Sequence, residues 1–272
     1  MFVLLWVAFN IFLLVWIVLT SLKRSKDVFD APYQLAAAPQ WDNYVSAWSV
    51  AEFGTAFANS VLIVGISAVL VVGLAAPAAY MLSRARTRSA GPLTTFFAIG
   101  MGIPLQAVII PIFVLMQNIS SFCNEQFGWW DDRLSLGMIY VATSLPFAVF
   151  LLTGFFQSLP EELEEAAALD GASTLRIFGR VMLPLAQPGL ITALVLTTVS
   201  LWNETLLALV LIVDTDQQTL PQALLGLYGT MQYTSNWGGL FAGLVVVVLP
   251  VVLAYWWAGR RIIEGLTVGA GK

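Results

Sequence analysis

Apolar positions along this chain come in long blocks separated by short polar segments. Six blocks nearly free of charge stand out, at about 2–22, 59–82, 92–117, 134–157, 187–213 and 239–259. Blocks of this length match the hydrocarbon core of a bilayer, which a helix of about 20 residues crosses. Backbone groups in lipid must be satisfied within the segment, so each block is predicted to be a helix. A transmembrane barrel would show shorter stretches of alternating polarity. The expectation is an all-α membrane protein with six transmembrane helices and one transmembrane domain over 1–272. The first block is expected to be a span rather than a secretory signal, because its apolar run is long and neither a basic region before it nor a small-residue cleavage site after it is present. The missing basic arm points to a start upstream, or to a span anchored from its C-terminal end.

Composition sharpens this picture. Of 272 residues, 59% are hydrophobic and 10% charged, where a soluble domain carries about 25% charge. That excludes an ordinary soluble enzyme, a disordered chain and a secreted disulfide scaffold. There is no His and a single Cys, Cys123. A Ser-His-Asp or Cys-His catalytic group cannot be built from this chain alone, and metal sites of the zinc, haem or iron–sulfur kind lack their ligands. Twelve basic residues against sixteen acidic ones give no surface for nucleic acid.

Lys and Arg in short loops orient the spans. One side collects Arg84, Arg86 and Arg88, then Arg176 and Arg180, then Arg260, Arg261 and Lys272. The other side has Lys23, Arg24, Lys26 and Arg133. Both termini are therefore expected to be cytoplasmic, with the Lys23–Lys26 cluster as the one dissenting loop. The opposite loops carry Trp41, Tyr44, Trp129, Trp130, Tyr233 and Trp237, which fits either an interfacial aromatic belt or a docking surface for an extracytoplasmic partner.

The loop between the fourth and fifth blocks, 158–184, differs from the rest. Glu161, Glu162, Glu164 and Glu165 crowd its start, where carboxylates complement the positive end of a helix. Ser158 and Glu161 have capping-box spacing, Pro160 suits a first turn, and Ala166 to Ala168 favour helix. Gly171 stands where a helix would end left-handed. A second short helix is predicted from about Ser173 to Met182, ended by Pro184 and Pro188. Leu163, Ala166, Ala167 and Asp170 recur at helical spacing and share a face. By composition that face suits either a groove on a partner or a solvated linker at the membrane surface.

Glu165-Ala166-Ala167, Gly171 and Val181-Met182-Leu183-Pro184 resemble the EAA loop of the permease subunits of binding-protein-dependent ABC importers. The spacing matches throughout, with Val181 in place of the usual Ile. Further stretches are similar to the carbohydrate branch of that family: Thr20 to Lys23, Pro32, Asn43-Tyr44, Asn59-Ser60, Ala79-Tyr80, the Arg84–Arg88 loop, Trp202-Asn203-Glu204, Thr219 to Pro221, Trp237-Gly238 and the tail 265–270.

The resemblance implies a type I ABC importer permease fold in a bacterial cytoplasmic membrane. It implies an ATPase-coupling site at Glu165, Ala166, Ala167, Asp170, Gly171, Leu183 and Pro184. It also implies ATP-binding subunits that use ATP and Mg, a second related permease, an extracytoplasmic solute-binding protein and a sugar substrate. The sequence itself has no G-x-x-x-x-G-K-[ST] phosphate loop, in keeping with a chain that binds no cofactor.

Glu204 is the one charge inside a block, and such residues face a protein or aqueous interior. With Trp202 and Asn203 it offers stacking, amide and carboxylate groups to a sugar in a substrate path. Alternatively it fixes helix packing. An ion-coupled secondary transporter is the rival class, but it needs internal repeats or several intramembrane ionisable groups. An ABC permease for a non-sugar solute would share the EAA loop.

Overall fold

The computed structural model describes residues 1–84 and 90–270, apart from the side chains of 90, 231, 232 and 260–270. Arg86, Arg88, Lys272 and the side chains of Arg260 and Arg261 thus lie outside the described residues. Within them every regular element is helical.

The chain begins with α1 (Phe2–Ser21), the short α2 (Asp27–Asp30) and α3 (Asp42–Val50). Long helix α4 (Phe53–Arg84) leads to α5 (Ala90–Met101), α6 (Leu105–Phe127) and α7 (Asp132–Ser158). Then come α8 (Glu162–Leu169), α9 (Thr174–Ile177), a π-helical turn (Phe178–Met182) and α10 (Leu183–Leu185). Helices α11 (Gln187–Trp202) and α12 (Leu206–Leu211), a 3-10 turn at Thr215–Gln217, α13 (Leu220–Thr234) and α14 (Trp237–Ala270) complete the order. Among the described residues five helices are long and apolar enough to cross a membrane. They become six if Thr174–Leu185 and Gln187–Trp202, which meet at 73°, form one bent span.

Two of the apolar blocks are interrupted. The block at 92–117 is two helices, α5 and α6, parted at Gly102-Ile103-Pro104. Pro104 takes φ −68°, ψ 122° as the N-cap of α6, and a proline disfavours helix at the residue before it. The block at 187–213 breaks at 203–205. There Asn203 Nδ2 donates back to Val199 O at 2.7 Å and Thr205 Oγ1 to Asn203 O at 3.4 Å. Side chains that bond to nearby backbone compete with the helical ladder. Hydropathy averaged over a span-length window registers neither event, because Gly102-Ile103-Pro104 is uncharged and Glu204 is a single charge within a long apolar block.

The chain divides into two compact units, 1–60 with 213–253, and 61–212 with 254–272. In the first unit α1 is exposed apart from half-buried Trp16 and Ile17, until Thr20 and Ser21, which are buried. Ser21 Oγ meets Tyr44 Oη at 2.7 Å, and Asn43 Nδ2 donates to Ser21 O and Lys23 O, each at 2.8 Å. Lys23 is 2% exposed. Its ammonium donates to Ala31 O at 2.9 Å and Pro32 O at 2.8 Å, so a buried charge is solvated by carbonyls. Asn59 Nδ2 holds Asp216 O and Gln218 O, and Leu220 N donates to Ser60 Oγ at 2.8 Å.

The second unit has the larger cores. One gathers α4, α7 and α11 around Val71, Ala75, Ala79, Leu152, Phe156 and Ala193. Small residues allow helices to approach closely where no hydrophobic force drives association. Gly189 shows this: a Cβ there would lie 2.5 Å from Phe155 Cγ. Gly100 of α5 packs likewise on Pro146 of α7, leaving 3.1 Å to its Cγ for a Cβ. A second core joins α4, α6, α7 and α12 around Met116, Leu136, Tyr140, Leu207 and Leu211.

Candidate functional site

The segment 158–184 folds as a short exposed helix followed by a turn and a kinked helical return. Helix α8 ends in a Schellman arrangement. Ala172 N donates to Ala167 O at 3.1 Å and Gly171 N to Ala168 O at 3.0 Å, with Gly171 at φ +79°. A side chain at that φ is strained.

The start of α8 is built differently from the spacing-based expectation. Ser158 does not cap it. Ser158 is the last residue of α7, and its Oγ donates to Phe155 O at 2.7 Å. Glu161 occupies the N-cap without a side-chain cap bond. The intervening Leu159-Pro160 is extended at Leu159 (φ −80°, ψ 138°), as a residue before proline prefers. The serine is thereby left in the preceding helix. Nor do Pro184 and Pro188 end the return helix: they occupy the first turns of α10 and α11, where a missing N–H costs nothing.

The single face expected of α8 is divided. Leu163, Ala166, Glu165 and Asp170 are exposed, whereas Ala167 is half-buried against the α4–α7–α11 core. Leu183 is half-buried and Pro184 exposed. Two apolar side chains add to the outward surface, Leu169 at 90% exposure and Leu175 at 81%. Both were open to a spacing argument, since they continue the helix beyond Ala166 and open the return.

Glu164 was not legible as a site residue, yet it ties the segment to the rest of its unit. Its Oε2 accepts from Tyr80 Oη at 2.9 Å and its Oε1 from Arg84 Nε at 2.5 Å. Arg84 Nη2 donates in turn to Leu159 O at 3.1 Å. The Tyr80 ring lies 5.1 Å from Phe178 and 5.6 Å from Phe156, centroid to centroid. Only once the structure shows Ala167 turned inward does helical spacing put Glu164, three residues earlier, on the same face.

The Trp202-Asn203-Glu204 trio sits at the break after α11. Trp202 is 7% exposed, and Asn203 is exposed. Glu204 is half-buried; its Oε2 accepts from Tyr140 Oη at 3.1 Å and its Oε1 from Leu207 N at 2.9 Å. The 158–184 segment and this trio belong to separate parts of the same unit, one beside Tyr80 and the other beside Tyr140.

The described residues form a multi-pass helical membrane protein with an exposed, glycine-closed helix at α8, as the resemblance to importer permeases implies. The family described as "Binding-protein-dependent transport system inner membrane component" matches residues 71–260, and the chain belongs to that family.

The chain is 35% identical over 265 residues to the diacetylchitobiose uptake system permease protein NgcG of Streptomyces coelicolor, covering 97% of this chain and 85% of that one. It is 33% identical over 257 residues to the trehalose transport system permease protein SugB of Mycobacterium tuberculosis, covering 94% and 90%. A chain of a bacterial ABC transporter involved in the import of the acidic polysaccharide alginate superposes with a TM-score of 0.73 at 24% identity, over 95% of both chains. That likeness establishes the fold. The chain is thus a permease subunit of a binding-protein-dependent importer, an inner-membrane component.

Proposed function

We propose that residues 1–272 act as one transmembrane domain that passes a sugar or oligosaccharide into the cell, driven by ATP hydrolysed on a separate subunit. The named activities of the relatives, uptake of diacetylchitobiose and of trehalose, support a carbohydrate cargo. The observation that carries the coupling assignment is the exposed α8, closed by Gly171 and presenting Glu165, Ala166 and Asp170 outward. Ala166 keeps that surface low enough to seat in a groove. Glu165 and Asp170 offer carboxylates to basic groups along it. Leu183 and Pro184 set the return of the chain toward α11.

In this reading 158–184 and both termini are cytoplasmic. The ATP-binding subunits take ATP and Mg, a second permease completes the pathway, and an extracytoplasmic binding protein delivers the sugar. Closure of the ATP-binding subunits would draw two such loops together and switch the spans between inward and outward opening, a rigid-body change. Of the trio at the break, Asn203 is the exposed member and the one best placed to meet the passing solute. Trp202 and Glu204 support it from within.

The test uses the assembled transporter in proteoliposomes. Gly171→Arg and Glu165→Lys should insert normally but lose uptake of labelled disaccharide and retention of the ATP-binding subunit. Normal uptake by both variants would overturn the assignment.

A further inference from the structure

Glu164 stands next to the outward-facing residues of α8 but is turned the opposite way. Both of its carboxylate oxygens are engaged, by Tyr80 and by Arg84. The ion pair is largely shielded, with side-chain exposures of 15% for Arg84 and 18% for Glu164. Shielding strengthens a charge-assisted bond and makes a lone partner costly.

Arg84 does more than neutralise the carboxylate. Through Leu159 O it also holds the residue that ends α7. Tyr80, one turn earlier on α4, lies against Phe156 of α7 and Phe178 of the π-helical turn. Three chain segments therefore converge on two side chains of α4: the end of α7, the exposed helix and the return turn. A planar guanidinium that bonds in two directions fixes geometry in a way a lysine cannot.

We propose that Glu164 is a positioning residue for transport: its bonds to Arg84 and Tyr80 clamp α8 to α4, so that a push on α8 moves α4 and the end of α7 as one body. This rests on the reading of α8 as the coupling helix, and adds the route by which its displacement reaches a membrane span. The clamp separates two neighbouring glutamates by role. Glu165 faces outward to a partner, and Glu164 faces inward to carry the load.

Two experiments on the assembled transporter test this. In the first, Glu164→Gln and Arg84→Gln are compared with wild type for uptake per ATP hydrolysed. Each single variant should keep its ATP-binding subunit and still hydrolyse ATP, while uptake per ATP falls about tenfold or more. The exchange Glu164→Arg with Arg84→Glu should recover part of the lost ratio. An unchanged ratio in the single variants, or a loss of assembly and hydrolysis in proportion to uptake, would overturn the clamp.

In the second, with Cys123 changed to serine, spin labels at Met81→Cys and Ala168→Cys report the α4–α8 distance with Tyr80, Arg84 and Glu164 intact. The distance distribution should be the same with and without ATP. A shift approaching one helical turn, about 5.4 Å, would show that the helices move independently and would overturn the proposal. If the wild-type chain retains no ATP-binding subunit at all, the coupling reading itself fails, and that outcome is separate from either result above.

Discussion

Tyr140 donates its hydroxyl to Glu204 Oε2 at 3.1 Å, and the other oxygen of that carboxylate takes the Leu207 N–H at 2.9 Å. The tyrosine is fully buried, so α7 grips the start of α12 through one side chain. Leaving a buried donor or acceptor without a partner costs about 1–3 kcal/mol. Tyr140→Phe and Glu204→Ala should each lower the stability of the detergent-solubilised protein within that range. The double variant should lose less than their sum, because coupled residues show interaction energies of about 0.5–3 kcal/mol. Thermal unfolding of the four proteins checks this. Strictly additive losses would mean that the two groups do not act through each other.

Gly189 leaves no room for a methyl group beneath the Phe155 ring. Overpacking of this kind costs about 1–3 kcal/mol. Gly189→Ala should therefore reduce both the melting temperature and the amount of folded protein in membranes. Adding Phe155→Ala should return part of the loss by removing Cγ and both Cδ atoms, the ones at the point of collision. No rescue by the second substitution would argue that the glycine is needed for another reason.

Gly238 begins α14 against two groups of the first unit. A Cβ there would sit 2.5 Å from Asn43 Nδ2 and 2.6 Å from Lys23 O. The carbonyl belongs to backbone and cannot swing away. Gly238→Ala should break the Asn43–Lys23 bond and destabilise the protein by about 1–3 kcal/mol. Asn43→Ala should be costly alone but should soften the effect of Gly238→Ala. Stability measurements on this set of variants decide it.

Asp131 precedes α7 and accepts from Arg133 through both side-chain oxygens and from the Arg133 N–H. The guanidinium holds its carboxyl below the usual carboxylate range. The resulting stabilisation is present above the unfolded value of about 3.9 and is lost as pH falls through the lower folded value. The pair is partly exposed, at 37% and 28%, so its worth is about 0–1 kcal/mol. Asp131→Asn should be slightly less stable than wild type at pH 7, with the difference vanishing in strong acid and shrinking in high salt. Melting temperature against pH for the two proteins reads this directly.

Much of the site was legible because its signals are local. Gly171 takes the positive φ that a helix end needs, and the exposure of Glu165, Ala166 and Asp170 follows from their place on a short helix in a polar loop. The role of Glu164 was not local. Its partners Tyr80 and Arg84 lie some 80 residues earlier in the chain, and nothing in the spacing of four clustered glutamates says which of them turns inward. Ser158 shows the opposite failure: the capping-box spacing is present, but the helix before it claimed the serine.

Hydropathy and loop chemistry alone determined a helical membrane protein of about six spans, a short helix in the 158–184 loop and its glycine stop. These follow from the solvent each segment must face and from backbone sterics, which act within a few residues. Tertiary structure decided where helices break, how close they approach and which polar groups meet. It joined stretches noticed separately in the sequence: Asn43 with Ser21 and Lys23, Asn59 with the carbonyls before Thr219, Arg84 with Glu164. The reason is physical. A polar group removed from water must find a partner, and which partner is within reach is set by the packing of distant helices rather than by neighbours along the chain.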